Sequence, residues 1–463
     1  MAKNEFNLRY ITGISVVAAL GGLLFGYDWV VIGGAKPFYE QFFHIAGKPT
    51  LQGWAVSSAL VGCILGSVIS GFLTGRYGRK KMLILAAFLF LLSAAGTGGS
   101  NRFALFIAYR ILGGMGIGLA SNLSPVYIAE VAPAGLRGRF VALNQLTIVV
   151  GILLAQLINW IIAEPVPGDA SGSFLLNSWN GQTGWRHMFW AEAVPAALFS
   201  ICMWFVPESP RWLVKNGNTL KAGSILRRIG GSAYAEQTAA EIESSLSAEN
   251  KPVRTSLLLH RSVFPVVLLG VILALFQQWC GINVIFLYAE EIFSAAGYSV
   301  SDMLFNVVIT GSVNLVFTLV ALSLVDRIGR RKLMLAGSGG LAILYTILGT
   351  LFFTGTTGLP LLLLVVASIA CYAMTLAPVT WVVLSEIFPN RVRGAAMAVA
   401  TFALWTGNAM LAYFFPIINS KVNASGSFWI FALICLAGFF FIKARLLETR
   451  GRSLEEIEKL IRK

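Results

Sequence analysis

Of 463 residues, 57% are hydrophobic and only 12% are charged, and mean hydropathy is +0.75. Soluble domains carry roughly a quarter charged residues, so a soluble multidomain enzyme is excluded. The net charge of +14 sits in short segments between apolar runs, which reads as a topology signal and not as a nucleic-acid surface.

Twelve apolar stretches of membrane-crossing length follow one another at 10–33, 51–74, 82–100, 103–128, 139–163, 186–206, 263–288, 301–325, 333–354, 359–384, 395–419 and 427–446. Backbone groups in lipid must satisfy one another, so each stretch is predicted to be a helix. No alternating pattern suggests a barrel. Span 1 follows the polar segment 1–9, shows no small-residue cleavage site, and carries Phe25 and Asp28. Span 2 ends in Gly75-Arg76-Tyr77-Gly78-Arg79-Lys80-Lys81. Span 4 carries Arg110 and is followed by Glu130-Val131-Ala132-Pro133 and then Arg137-Gly138. Span 5 offers Asn144-Gln145, and span 6 carries Glu192 and ends in Pro207-Glu208-Ser209-Pro210-Arg211.

The polar stretch 207–261 divides the chain into six spans plus six. It reads as short helices. The first is capped by Ser209 before Pro210 and stopped at Asn216-Gly217. The second covers 220–229 and ends at Gly230-Gly231, and the third covers 235–246. Span 7 contains Gln277, Gln278 and Asn283, whose amides reach a common face if the helix unwinds at Gly281, and Tyr288 follows. Span 8 offers Asn314 and ends in Asp326-Arg327-Ile328-Gly329-Arg330-Arg331-Lys332. In span 10, Pro378 is placed to break the helix just before Trp381. Glu386-Ile387-Phe388-Pro389 and Arg393-Gly394 come next, and span 11 carries Trp405. Span 12 is followed by Leu447-Glu448-Thr449-Arg450-Gly451, and a capping box at Ser453 predicts a last amphipathic helix.

Twelve spans put both ends of the chain on one side. Of the 35 Lys and Arg residues, 29 lie in the termini and the loops on that side, which predicts cytoplasmic termini in a cell membrane. Lys36, Lys48, Arg102, Arg186 and Lys421 are left to the outer loops, and Arg110 lies inside a span. The domain reading is an N-terminal six-helix bundle over 1–206, a cytoplasmic helical linker over 207–261, a C-terminal bundle over 262–446 and a cytoplasmic helix over 447–463. The five cysteines lie in apolar runs without metal spacing, and neither a metal nor a cofactor is expected.

Two kinds of residue carry chemistry. Asp28, Arg110 and Glu192 are ionisable residues at membrane depth, where an isolated charge costs roughly 3 kcal/mol on insertion scales and such groups usually pair and work. Two acids share one base, so one acid can take a proton and leave a neutral set. The amides and tryptophans of spans 5, 7, 8, 10 and 11 suit a ligand with many hydroxyls and a weakly apolar ring face, because an amide both donates and accepts.

Three motifs recur in the same order in the two halves: the basic segments after spans 2 and 8, the Glu-x-x-Pro segments after spans 4 and 10, and the acidic segments after spans 6 and 12. With them, the sequence resembles the sugar porter family of the major facilitator superfamily, including its bacterial D-xylose:proton symporters and its animal glucose facilitators. The resemblance implies an all-α membrane protein of twelve transmembrane helices in two bundles, no enzymatic activity, and proton-coupled import of a pentose or hexose by alternating access. The alternative it leaves open is a facilitative uniporter. Implied partners are a monosaccharide such as D-xylose or D-glucose, protons and the lipid bilayer, with the chain acting as a monomer. The resemblance implies proton coupling by Asp28, Arg110 and Glu192. It implies sugar contacts from Gln277, Gln278, Asn283, Trp381 and Trp405; the amides Gln145 and Asn314 are read as further contacts from their own chemistry, and Phe25 and Tyr288 as lid aromatics. The motif charges themselves read as gating salt bridges between helix ends, among Arg76, Arg79, Glu130, Arg137, Glu208 and Arg211 in the first half, and among Asp326, Arg327, Arg330, Glu386, Arg393 and Glu448 in the second.

Overall fold

A computed structural model of the chain describes residues 6–168, 170–249, 258–261, 263–389 and 392–450, without the side chains of 247–249 and 326. The apolar helical segments are Leu8–Phe42, Pro49–Tyr77, Arg79–Gly99, Phe103–Val131, Ala134–Ile162, Asn180–Phe205, Phe264–Leu287, Val300–Val325, Arg330–Phe353, Leu359–Ile387 and Arg393–Arg445. They hold the twelve expected spans, because the last segment contains two. Its helical register is broken once, at Asn423 (φ 59°, ψ −179°). A positive φ is uncommon outside glycine, and asparagine is enriched among the residues that adopt it.

Three other breaks position side chains. Span 7 ends its first helix at Trp279. Gly281 then takes φ 92°, and a short helix Ile282–Leu287 restarts the chain toward Ala289–Ala295. Glycine permits that left-handed step at no steric cost. Span 10 breaks at Thr375 (φ −123°, ψ −84°), three residues before Pro378. A proline ring collides with the carbonyl four residues earlier, here that of Met374, so the disruption falls ahead of the proline. Span 6 is interrupted between Trp185–Trp190 and Ala193–Phe205, and Pro195 leaves the Ala191 carbonyl without its usual amide donor. Glu192 sits in this gap.

The linker follows its local signals. Ser209 Oγ accepts from the Trp212 amide at 3.3 Å over a helix Pro210–Lys215, and Gly217 turns the chain at φ 77°. Thr219–Glu249 is kinked at Gly230 and Gly231. Of the helix expected over 447–463, residues 447–450 are not helical, and the remainder with its Ser453 cap lies outside the described residues.

The chain packs as two compact units. The first takes Met1–Trp29, Gly62–Ile152 and Phe189–Pro252. The second takes Val30–Val61, Leu153–Met188 and Val253–Lys463, so it joins the end of span 1, the start of span 2 and the end of span 5 to spans 7–12. One expectation is corrected here. Lys36 is not in an outer loop: span 1 runs on to Phe42, and Lys36 is only 1% exposed. Ala35, Phe38 and Tyr39 continue a fully buried face past the apparent end of the apolar run.

Candidate functional site

The intramembrane charges lie in the first unit. Asp28, Arg110 and Glu192 are each at most 1% exposed. Arg110 forms an ion pair through Nη1 with Asp28 Oδ1, and its Nη2 donates to the Asp28 carbonyl at 3.2 Å. The guanidinium also sits 5.6 Å from the Phe189 ring centroid, a cation–π contact within a desolvated site. Glu192 is within electrostatic range of both partners. Asp28 Oδ2 and Glu192 Oε1 have no hydrogen-bond partner among the described residues. A buried acceptor without a donor is costly, and a proton on either acid would supply one. Room for the Asp28 carboxyl comes from Gly113, where a Cβ would stand 2.5 Å from Asp28 Oδ2. Phe189 and Gly113 were not singled out by sequence reasoning. The glycine pair next to Arg110 was the available signal for the second.

The amides of span 7 lie in the second unit and are joined in a row. Asn283 Nδ2 donates to Gln278 Oε1 at 2.6 Å, Gln278 Nε2 to Gln277 Oε1 at 3.2 Å, and Gln277 Nε2 to the Ala377 carbonyl of span 10 at 3.3 Å. All three side chains are buried, across a helix break that only Gly281 permits. The row therefore links both helical pieces of span 7 to the break in span 10. Asn314 on span 8 and Trp405 on span 11 are buried, while Trp381 on span 10 is 37% exposed. Tyr288 is buried and donates its hydroxyl to the Ala412 carbonyl. Gln145 and Phe25 belong to the first unit, and both are partly buried.

The repeated motifs form the same arrangement twice. In the first unit, Arg79 Nη2 pairs with Glu130 Oε1 at 2.6 Å, and Ser209 Oγ donates to Glu130 Oε2. Glu208 accepts from the amides of Arg79 (3.0 Å), Lys80 (3.2 Å) and Ser209 (2.7 Å). In the second unit, Arg330 Nη2 pairs with Glu386 Oε1 at 3.1 Å, and Thr449 Oγ1 donates to Glu386 Oε2 at 2.6 Å. Glu448 accepts from the amides of Arg330 (2.9 Å) and Arg331 (3.2 Å). Each acid thus caps the helix that follows a glycine with positive φ, Gly78 at 90° and Gly329 at 102°. Anions at a helix start are favoured by its unpaired amides and dipole, and a Cβ at either glycine would press on the capping carboxylate. Burial pushes the Glu208 carboxyl above its ordinary value despite the amide and Arg79 contacts.

The remaining motif residues sit apart from these pairs. Arg76 lies over the Tyr77 ring at 5.4 Å, and Arg137 and Arg327 are exposed. Arg211 Nη2 donates to Ser245 Oγ at 3.3 Å. Arg393 donates through Nε and Nη2 to the Phe388 carbonyl at 3.3 and 3.2 Å. The Asp326 side chain is outside the described residues. Glu386→Ala removes the acceptor shared by Arg330 and Thr449. It is expected to loosen the start of span 9 from the ends of spans 10 and 12, so that cysteine probes gain reactivity from that side of the protein and lose it from the opposite side. Unchanged labelling on both sides would refute a gating role.

The profile of the sugar (and other) transporter family matches residues 14–461. The chain is 39% identical to the D-xylose-proton symporter of Escherichia coli (strain K12), over 99% of this chain and 97% of that protein. It is 38% identical to the arabinose-proton symporter of Bacillus subtilis (strain 168), over 98% and 96% respectively. Among solved structures, the major facilitator superfamily proton:xylose symporter XylE bound to 6-bromo-6-deoxy-D-glucose aligns with a TM-score of 0.81 at 39% identity, covering 98% of this chain and 100% of that one.

Proposed function

This chain belongs to the sugar transporter family and has the fold of the major facilitator superfamily, and on that premise we propose that it imports a monosaccharide, a pentose or hexose such as D-xylose or D-glucose, together with a proton by alternating access. The family is one of transporters and not of enzymes. The observation that carries the proton coupling is the buried Asp28–Arg110–Glu192 set, with two acids on one base and an unpartnered oxygen on each acid. The D-xylose- and arabinose-proton symporters among its relatives support the same reading.

Protonation of one acid makes the set neutral, and loss of that proton leaves it with one net negative charge that burial penalises unless Arg110 moves closer. A conformational change that alters the Asp28–Arg110 separation therefore binds and releases a proton. The row Gln277–Gln278–Asn283 presents donors and acceptors suited to sugar hydroxyls, and Asn314, Trp381 and Trp405 complete the contribution of that unit. The Arg79–Glu130 and Arg330–Glu386 pairs act as cytoplasmic gates within two six-helix bundles, 1–206 and 262–446. The chain works as a monomer in the plasma membrane with both termini in the cytoplasm, as the distribution of Lys and Arg supports.

The test uses purified protein in sealed vesicles with an imposed pH gradient. One pH unit is worth about 1.4 kcal/mol per proton, or a tenfold ratio. One proton per sugar is therefore expected to drive roughly tenfold accumulation on the alkaline side. A panel of unlabelled pentoses and hexoses competing for uptake identifies the sugar. The second reading is facilitative carriage, with Asp28 locked in its close pair with Arg110. It requires a final sugar level indifferent to the gradient.

A further inference from the structure

The second unit contains a charge cluster outside the sites described above, built from the buried Lys36 and Glu40 and the partly exposed Glu290 and Glu291. Lys36 Nζ, near the outer end of span 1, lies 2.9 Å from Glu40 on the same helix, 3.1 Å from Glu290 and 2.6 Å from Glu291 on Ala289–Ala295. The ammonium is also 5.8 Å from the Tyr288 ring centroid, and Glu40 Oε2 accepts from Gln52 Nε2 of span 2 at 2.6 Å. Span 1 comes close to the broken span 7 in the same region: a Cβ at Gly33 would stand 2.5 Å from the Phe286 carbonyl.

The three carboxylates are not equivalent. Glu40 is four residues from Lys36 on one continuous helix, so that pair survives any movement of span 1 relative to span 7. Glu290 and Glu291 come from a segment 254 residues away in sequence for the first pair, and that segment follows a chain break at Gly281 and another at Tyr288. Breaking a buried ion pair by removing one partner is strongly unfavourable because a charge is left uncompensated. Lys36 avoids that penalty when it leaves Glu290 and Glu291, since Glu40 remains beside it.

We propose that Lys36 is the pin of an outer latch, with Glu290 and Glu291 as the partners it grips when the outer ends of spans 1 and 7 are together and Glu40 as the partner it keeps when they separate. These are positioning residues and touch no sugar. The proposal rests on the alternating-access reading above, but a distance measurement needs no transport, so the failure of either is distinguishable from that of the other.

The test places spin labels at Ala46 and Thr354, in outer loops of the full-length protein with its native cysteines replaced, and records the distance distribution by double electron–electron resonance in lipid nanodiscs. The double variant Glu290→Gln/Glu291→Gln cuts the latch and is expected to raise the long-distance population several-fold. Glu40→Gln strands the cation on opening and is expected to lower it. In a Lys36→Met background, Glu40→Gln is expected to have no further effect. Opposite signs are what a latch requires. Shifts of the same sign, or none, in the first two variants would overturn it, as would an effect of Glu40→Gln that persists without Lys36.

Discussion

Asp28→Asn is expected to reduce the accumulation ratio from roughly tenfold under a one-unit pH gradient to about one, while exchange of labelled for unlabelled sugar continues. Asparagine keeps the shape of the side chain but cannot gain or lose a proton. The variant is expected to fold, because Arg110 retains Glu192 within electrostatic range and the set then sums to zero. Sugar-driven alkalinisation of the outer medium disappears with uphill uptake, since both read the same proton. The two halves of the expectation protect each other. If exchange is also lost, Asp28 supports structure and the coupling assignment lacks support. If uphill uptake survives, the proton is carried elsewhere, and Glu192 becomes the first candidate.

The spans were legible because hydrocarbon imposes a length and a composition that survive in sequence without any knowledge of partners. The repeated motifs were legible because each half needs a helix restart at Gly78 or Gly329, an acid to cap it, and an Arg to pair with Glu130 or Glu386. What stayed hidden depends on distant partners. Lys36 looks like a loop residue in its own segment, and Glu290 and Glu291, together with Glu40, reveal why it can be buried. The break in span 10 was expected from Pro378, but its place at Thr375 follows from the three-dimensional clash ahead of the ring. Span 7 was the favourable case. Gly281 is a local signal for a left-handed step, so the alignment of Gln278 with Asn283 could be read five residues apart.

Arg110→Leu is expected to be far more damaging than Asp28→Asn, at about 3–5 kcal/mol of stability, seen as a fall in the thermal midpoint and in the monodisperse yield from detergent. Removing the guanidinium leaves two buried carboxyls, Asp28 and Glu192, with no cation between them, and it also removes the contact with Phe189. Adding Asp28→Asn to Arg110→Leu removes one of the two stranded acids and is expected to recover part of the lost stability without restoring uphill transport. Partners in one buried pair deviate from additivity, by 0.5–3 kcal/mol in typical cycles. The four proteins of this cycle therefore separate the two roles of the pair. Stability follows whether the charges are matched, and coupling follows whether a titratable carboxyl and its guanidinium are both present. If the double variant is no more stable than Arg110→Leu alone, Asp28 is not the group that Arg110 compensates, and the proton cycle must be rebuilt around Glu192.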